Sequence, residues 1–192
     1  MKPIPKRCGA AGVAAGLFLG CIATLSAQMA GMQEKAGTQS SEAMPSPPAT
    51  AHVTVAGGTI DVKYSSPKMR GRKIMGALVP YGQVWRTGAN PATTIITSVP
   101  LKFGTLTVPA GTHTIYTLPN ENGWQLIINN QTGQWGTEYH QEQDLGRVPM
   151  KSKPLSSPQE VMSISFENTK PDSTEMHVRW ENTDEYVTIT KP

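Results

Sequence analysis

Beyond residue 50 the chain runs in short stretches of alternating apolar and polar residues, broken at close intervals by Gly, Pro and Asn. The period of two is clearest near the end. Met162, Ile164 and Phe166 share one side of an extended segment, as do Met176, Val178 and Trp180, while Ser163, Ser165, His177, Arg179 and Glu181 fall on the other. Successive strand side chains point to opposite faces, so each apolar set predicts a buried face. Val187 and Ile189 extend that face, and Trp180 reads as core. Upstream, His52 to Ala56 and Thr59 to Tyr64 flank Gly57-Gly58, a hairpin signal. The same reading predicts strands over 83–87, 93–98, 105–108, 112–118, 123–129, 146–150, 160–167, 175–181 and 185–190. No long amphipathic helix and no internal repeat interrupts the pattern. The fold class is therefore all-β, a β-sandwich or jelly-roll-like pair of antiparallel sheets with about ten short strands.

The first fifty residues follow other rules. Lys2, Lys6 and Arg7 precede an apolar stretch from Ala10 to Leu25, and Leu25-Ser26-Ala27 ends in a small residue. This is the three-part layout of an export signal, with cleavage expected after Ala27. Phe18-Leu19-Gly20-Cys21 also loosely matches a lipidation motif, so the alternative is a chain anchored to the envelope through Cys21. Residues 28–51, rich in Gln, Ser, Ala, Gly, Thr and Pro, lack the apolar periodicity that repays ordering and read as a flexible spacer. One domain is expected over 52–192, periplasmic or secreted.

Removing the leader changes the charge. The +3 of the whole chain rests on Lys2, Lys6 and Arg7, and residues 28–192 carry 14 basic against 14 acidic residues. Nucleic-acid binding needs a basic face to neutralise phosphates, so no nucleic-acid partner is expected. Both cysteines, Cys8 and Cys21, lie in the leader. The remainder has no disulfide and no cysteine site.

One stretch between strands stands apart. Residues 65–95 read SSPKMRGRKIMGALVPYGQVWRTGANPATTI and resemble a block of the form SxPxxxGRxIxGxLVPYGxVWRTGANxATTI. That block is typical of a bacterial family of exported proteins, domain of unknown function 2911. Ser66, Pro67, Gly71, Arg72, Ile74, Leu78 through Gly82, Val84 through Asn90 and Ala92 through Ile95 match it. Further matches are Pro109-Ala110-Gly111-Thr112, Ile115 through Pro119, Trp124, Asn129, Gln134-Trp135-Gly136, Ser165 through Asn168 and Arg179-Trp180-Glu181, with His113 a departure. The resemblance covers about residues 52 to 190. It implies an exported β-rich domain and transfers no activity, cofactor or catalytic residue.

The same block concentrates Arg70, Arg72, Lys73, Tyr81, Trp85, Arg86 and Asn90. Loops held by a rigid sheet carry binding groups. Guanidinium groups such as Arg72 and Arg86 fork onto a carboxylate or phosphate, and Tyr81, Trp85 and the more distant Trp135 offer flat faces. The alternative is an internal Arg/aromatic network that pins the loop, with Arg86 bonded to backbone carbonyls. Thr87-Gly88-Ala89-Asn90-Pro91 reads as a tight turn with positive φ at Gly88 or Asn90, and lacks the glycine spacing and following helix of a phosphate loop.

Other chemistry finds less support. His52, His113, His140 and His177 show no short ligand spacing, and Glu138, His140, Glu142 and Asp144 read as a solvated loop, so no metal or cofactor is expected. No GxSxG elbow is present. Glycoside hydrolysis needs two carboxyls roughly 5 to 9.5 Å apart, and Glu121, Glu138, Glu142, Asp144 and Glu167 cannot be ranked from sequence. The sequence thus points to a non-enzymatic binding or structural module for a small polar or anionic ligand, or a partner surface. The alternative is a hydrolase acting on envelope carbohydrate or esters.

Overall fold

The computed structural model describes residues 45–192, so the leader, Cys21 and most of the spacer lie outside the described residues. Among the described residues, ten strands form two antiparallel sheets. In the larger, β1 (Pro48–Val55), β2 (Gly58–Ser65), β3 (Thr93–Thr97), β6 (Gly111–Leu118), β7 (Gln125–Asn129) and β8 (Asp144–Pro149) lie in that order. In the smaller the order is β5 (Leu106–Val108), β4 (Leu101–Phe103), β10 (Ser173–Thr190) and β9 (Lys151–Lys170). This is the expected sandwich.

The first hairpin forms one residue earlier than the Gly57-Gly58 signal suggests. Val55 pairs with Gly58, leaving Ala56 and Gly57 as a two-residue loop with φ of 55° and 77°. Positive φ at both positions is what a turn matched to strand twist requires. Strand β1 begins at Pro48, ahead of the expected start near His52.

Between the sheets lie Ile60, Val62, Ile95, Ile115, Leu126 and Ile128 from one side and Leu101, Phe103, Met162, Ile164, Met176 and Val178 from the other, all buried. Each such side chain contributes roughly 1.5 to 3 kcal/mol when fully buried. Val187 and Ile189 join this core although their parity differs from that of Met176 to Trp180. The parity changes at Glu181, whose φ is 54°, where the β9–β10 register slips on both sides and Thr183 Oγ1 donates to the Trp180 carbonyl at 2.8 Å. A bulge re-aims every residue beyond it.

A second, smaller cluster of Ala92, Tyr116 and Ile127 is packed on by Val84, Leu118 and Tyr139. In β6 and β7 the adjacent residues Ile115 and Ile128 belong to the main core, so Tyr116 and Ile127 face out of the sandwich. The β2–β3 connection and the segment after β7 cover that outer face. Residues 83–87, expected as a strand, belong to this connection and pair with the sheet through an isolated backbone bridge between Trp85 and Thr117.

Candidate functional site

Adjacent strands β2 and β3 are joined by residues 66–92, far longer than a hairpin needs, and loops of this length are commonly functional. This one is tied down along its course. Ser66 Oγ donates to the Met162 carbonyl, Met162 N–H to Pro67, and Met69 N–H to Glu160 at 2.8 Å. The Glu181 carboxylate accepts from Ile74 N–H at 3.1 Å and Met75 N–H at 2.9 Å. Trp85 and Thr117 exchange both backbone bonds at 2.8 Å.

At its far end the loop enters a strained turn. Thr87 and Asn90 have φ of 53° and 60°, the former an outlier for a β-branched residue. Thr93 Oγ1 donates to the Thr87 carbonyl at 2.9 Å, and Thr87 Oγ1 lies 3.2 Å from Thr117 Oγ1. The positive φ expected at Gly88 or Asn90 is present at both, 157° and 60°, and Thr87 shares it. Such strain survives only where surrounding contacts enforce it.

Here Arg72, Trp85, Arg86 and Asn90 line one cavity of about 270 Å³ together with Leu78 and Trp180. Trp85 forms its wall. Its indole N–H donates to Gly88 O at 3.1 Å, its ring stacks on Trp180 with centroids 5.8 Å apart and planes 20° apart, and it meets Trp124 edge-on at 6.1 Å. Trp180 is core, as expected, and also closes this cavity.

The two arginines of the cavity differ. Arg72 donates from Nε to Met69 O at 2.9 Å and from Nη2 to Lys68 O at 2.8 Å, which is the loop-pinning role. Arg86 has no such role. Its Nε is buried without a partner, and among the described residues no ion pair reaches its guanidinium. A buried polar group is normally bonded, and each exception calls for an explanation. Its stem is nevertheless fixed: a Cβ added to Gly136 would sit 2.1 Å from Arg86 Cδ and 2.7 Å from Asn90 O. Gly136 N–H donates to that same Asn90 carbonyl at 3.1 Å. Tyr116 holds the segment carrying Gly136, donating to Glu138 O at 2.8 Å and accepting from Gln134 Nε2 at 3.0 Å.

The other expected site residues lie elsewhere. Lys73 and Tyr81 line a separate cleft with Glu121 and Glu181. Arg70 is exposed: its backbone N–H donates to Glu160 Oε1 at 2.9 Å and its guanidinium reaches Pro45 O at 3.4 Å. Trp135 is 51% exposed and bridges Pro91, outside the cavity lining, whereas Trp124 is buried. The sequence block therefore divides between two depressions.

A second charged cluster escaped the sequence reading. His177 is fully buried, its Nδ1 2.6 Å from Asp184 Oδ1, and Asp184 is only 1% exposed. Arg179 Nη2 lies 2.8 Å from the other Asp184 oxygen, and Nη1 pairs with Glu167. Bonding to Glu167 raises the Arg179 pKa, and the same bond holds the Glu167 carboxyl below its usual value. On the opposite face Glu185 accepts from Ser152 Oγ at 2.7 Å, and burial pushes its carboxyl up. The remaining histidines also have neighbours: His52 lies 2.7 Å from Asp61, His113 3.1 Å from Pro109 O, and His140 3.2 Å from Glu142. Among the described residues, no group of three or more His, Cys, Asp and Glu could hold a metal ion.

A family model described as a protein of unknown function, DUF2911, matches residues 46–189. The chain belongs to the DUF2911 family. The match takes in all of the sandwich but the last residue of β10, and the whole 66–92 loop, in agreement with the resemblance of the sequence block. No curated protein and no solved structure matches the chain. A chemical reading of the DUF2911 domain therefore rests on its own residues.

Proposed function

We propose that this domain is a non-enzymatic binding module, exported across the membrane by its leader, that holds a small anionic ligand in the cavity between Arg72 and Arg86. The observation that carries the reading is Arg86: a half-buried arginine on the cavity wall, its stem held against Gly136, with a buried unpartnered Nε and no acidic partner among the described residues. Burying an unpaired charge is costly unless something pairs it. An anion entering the cavity would pair this charge through charge-assisted bonds to the outer nitrogens of the guanidinium.

Hydrolase chemistry finds less footing. Glu121 and Glu181 share the second cleft, but both Glu181 oxygens already accept backbone N–H groups. Glu185, with its raised pKa, and Asp184 are consecutive in a strand and so face opposite sides of the sheet. Neither pair offers a free acid and base across one opening.

Thermal melting of the full chain against a panel of small organic and inorganic anions tests the reading. A ligand that binds only the folded state raises the melting temperature with its concentration. We expect such a rise from at least one anion, and its loss in Arg86→Ala. No rise from any member of the panel would sink the proposal.

A further inference from the structure

Resting on the binding reading above, we infer that the ligand is a carboxylate carried on a ring, the carboxylate pairing with Arg86 and the ring lying against the Trp85–Trp180 stack. The inventory of unspent donors favours a carboxylate. Arg72 has committed Nε and one terminal nitrogen to Met69 O and Lys68 O. Ala89 N–H is bonded to Ser65 O, and the Trp85 indole to Gly88 O. Arg86 is left with a guanidinium fork, and one edge of that fork matches the two oxygens of a carboxylate. A phosphate is typically cradled by several backbone N–H groups at a helix start or in a nest. Along this cavity the backbone N–H groups of Arg72, Val79, Trp85 and Ala89 are already bonded to carbonyls of the chain, which leaves fewer for such a cradle.

The walls favour a ring. Leu78, Val79, Trp85 and Trp180 line the same cavity as the arginines, and a bare anion would leave that apolar surface unfilled. The volume, about 270 Å³, lies near the small end for ligand sites and suits one ring with its substituents. Asn90 adds a side-chain amide whose nearest acceptor, Ser46 O, is distant at 3.4 Å, leaving it able to meet a polar substituent on the ring.

Calorimetric titration of the full chain with five probes decides the matter: benzoate, glucuronate, acetate, inorganic phosphate and benzamide. One of the two ring acids should bind at least roughly tenfold more tightly than acetate, phosphate or benzamide, since each lacks the ring or the charge. Benzoate or glucuronate as the tighter ligand identifies an aryl or a sugar acid. Arg86→Ala should weaken that binding by roughly tenfold or more. Leu78→Glu, placed on a side chain that is 48% exposed and so of little consequence for folding, should weaken it comparably by repelling the carboxylate. Acetate or phosphate binding as tightly as either ring acid would overturn this inference while leaving the anion site standing. Ring-acid binding that survives both substitutions would place the ligand elsewhere and overturn it too. Equal binding of benzamide, or no binding by any probe and no shift in melting, would overturn the anion site as well.

Discussion

Arg179 and Arg86 are both largely shielded from water, and they are treated in opposite ways. Arg179 lies within a closed set of charges on β9 and β10, with Glu167 on one terminal nitrogen and Asp184 on the other, and Asp184 in turn holding His177. Both leave a buried Nε without a partner, but Arg86, in the 66–92 loop with its stem clamped, also has no acidic partner among the described residues. A charge whose acceptors are supplied by the chain belongs to the fold. One positioned without them is available to something else.

Removing the charge from each arginine while keeping much of its stem would break this contrast most directly, and the largest effect belongs to Arg179→Met. It leaves the buried Asp184 and the partly buried Glu167 without their cation, and breaking one side of a buried pair costs about 3 to 5 kcal/mol. Urea denaturation should show that loss; a change below about 1 kcal/mol would mean the cluster is not structural.

Gly136→Ala comes next. Its Cβ would fall 2.1 Å from Arg86 Cδ, so either the stem or the segment must move, a form of overpacking that costs about 1 to 3 kcal/mol. Combining it with Arg86→Ala removes the Cδ contact but leaves Asn90 O at 2.7 Å and the Cβ of residue 86 at 3.0 Å. The cost of Gly136→Ala should therefore shrink without vanishing in that background, and a double-mutant cycle measures the difference. Fully additive effects would show that Gly136 does not position Arg86.

The acids of the ribbon sharpen the contrast through pH. Arg179 lowers the Glu167 pKa, so the stability this carboxylate contributes is present above its usual 4.5 and is lost as the pH falls through its lower folded value. Burial raises the Glu185 pKa, so its contribution is present below 4.5 and is lost as the pH rises through its raised folded value. Where the folded and unfolded states differ by one proton, stability changes by about 1.4 kcal/mol per pH unit. Glu167→Gln should flatten the acid side of the stability profile, and Glu185→Gln the loss on raising the pH above 4.5. A Glu185→Gln profile parallel to the parent's would contradict the burial argument.

The two regions also differ in how legible they were. Strand β2, the late ribbon and its core face follow from alternation that a buried face enforces. Strand β4, Leu101–Phe103, is too short to show a period. Residues 83–87 alternate like a strand because Val84 packs on the outer cluster while Trp85 packs on the core, yet their backbone pairs with the sheet as an isolated bridge and not as a ladder. Arg72, Trp85, Arg86 and Asn90 could be picked out by residue type. That Lys73 and Tyr81 part from them depends on the course of the loop, including a reversal at Gly76, whose φ is 75°. The partnership of His177 with Asp184 was hidden because simple alternation assumes a regular strand. The bulge at Glu181 breaks that assumption, and a strand pattern carries no signal of where a bulge will bend it.

The smallest expected effect is the most discriminating. Arg86→Met keeps an unbranched apolar stem over Gly136 and removes a guanidinium for which the described residues supply no ion pair. Replacing a buried charge by a hydrophobic group of similar volume is often neutral or stabilising, so the denaturation midpoint should stay within about 0.5 kcal/mol of the parent or rise. The same exchange at Arg179 should be strongly destabilising. If Arg86→Met instead costs as much as Arg179→Met, then Arg86 is paired by the protein itself and the two regions are alike. If it is neutral while anion-dependent stabilisation is lost, the charge at Arg86 serves the ligand and not the fold.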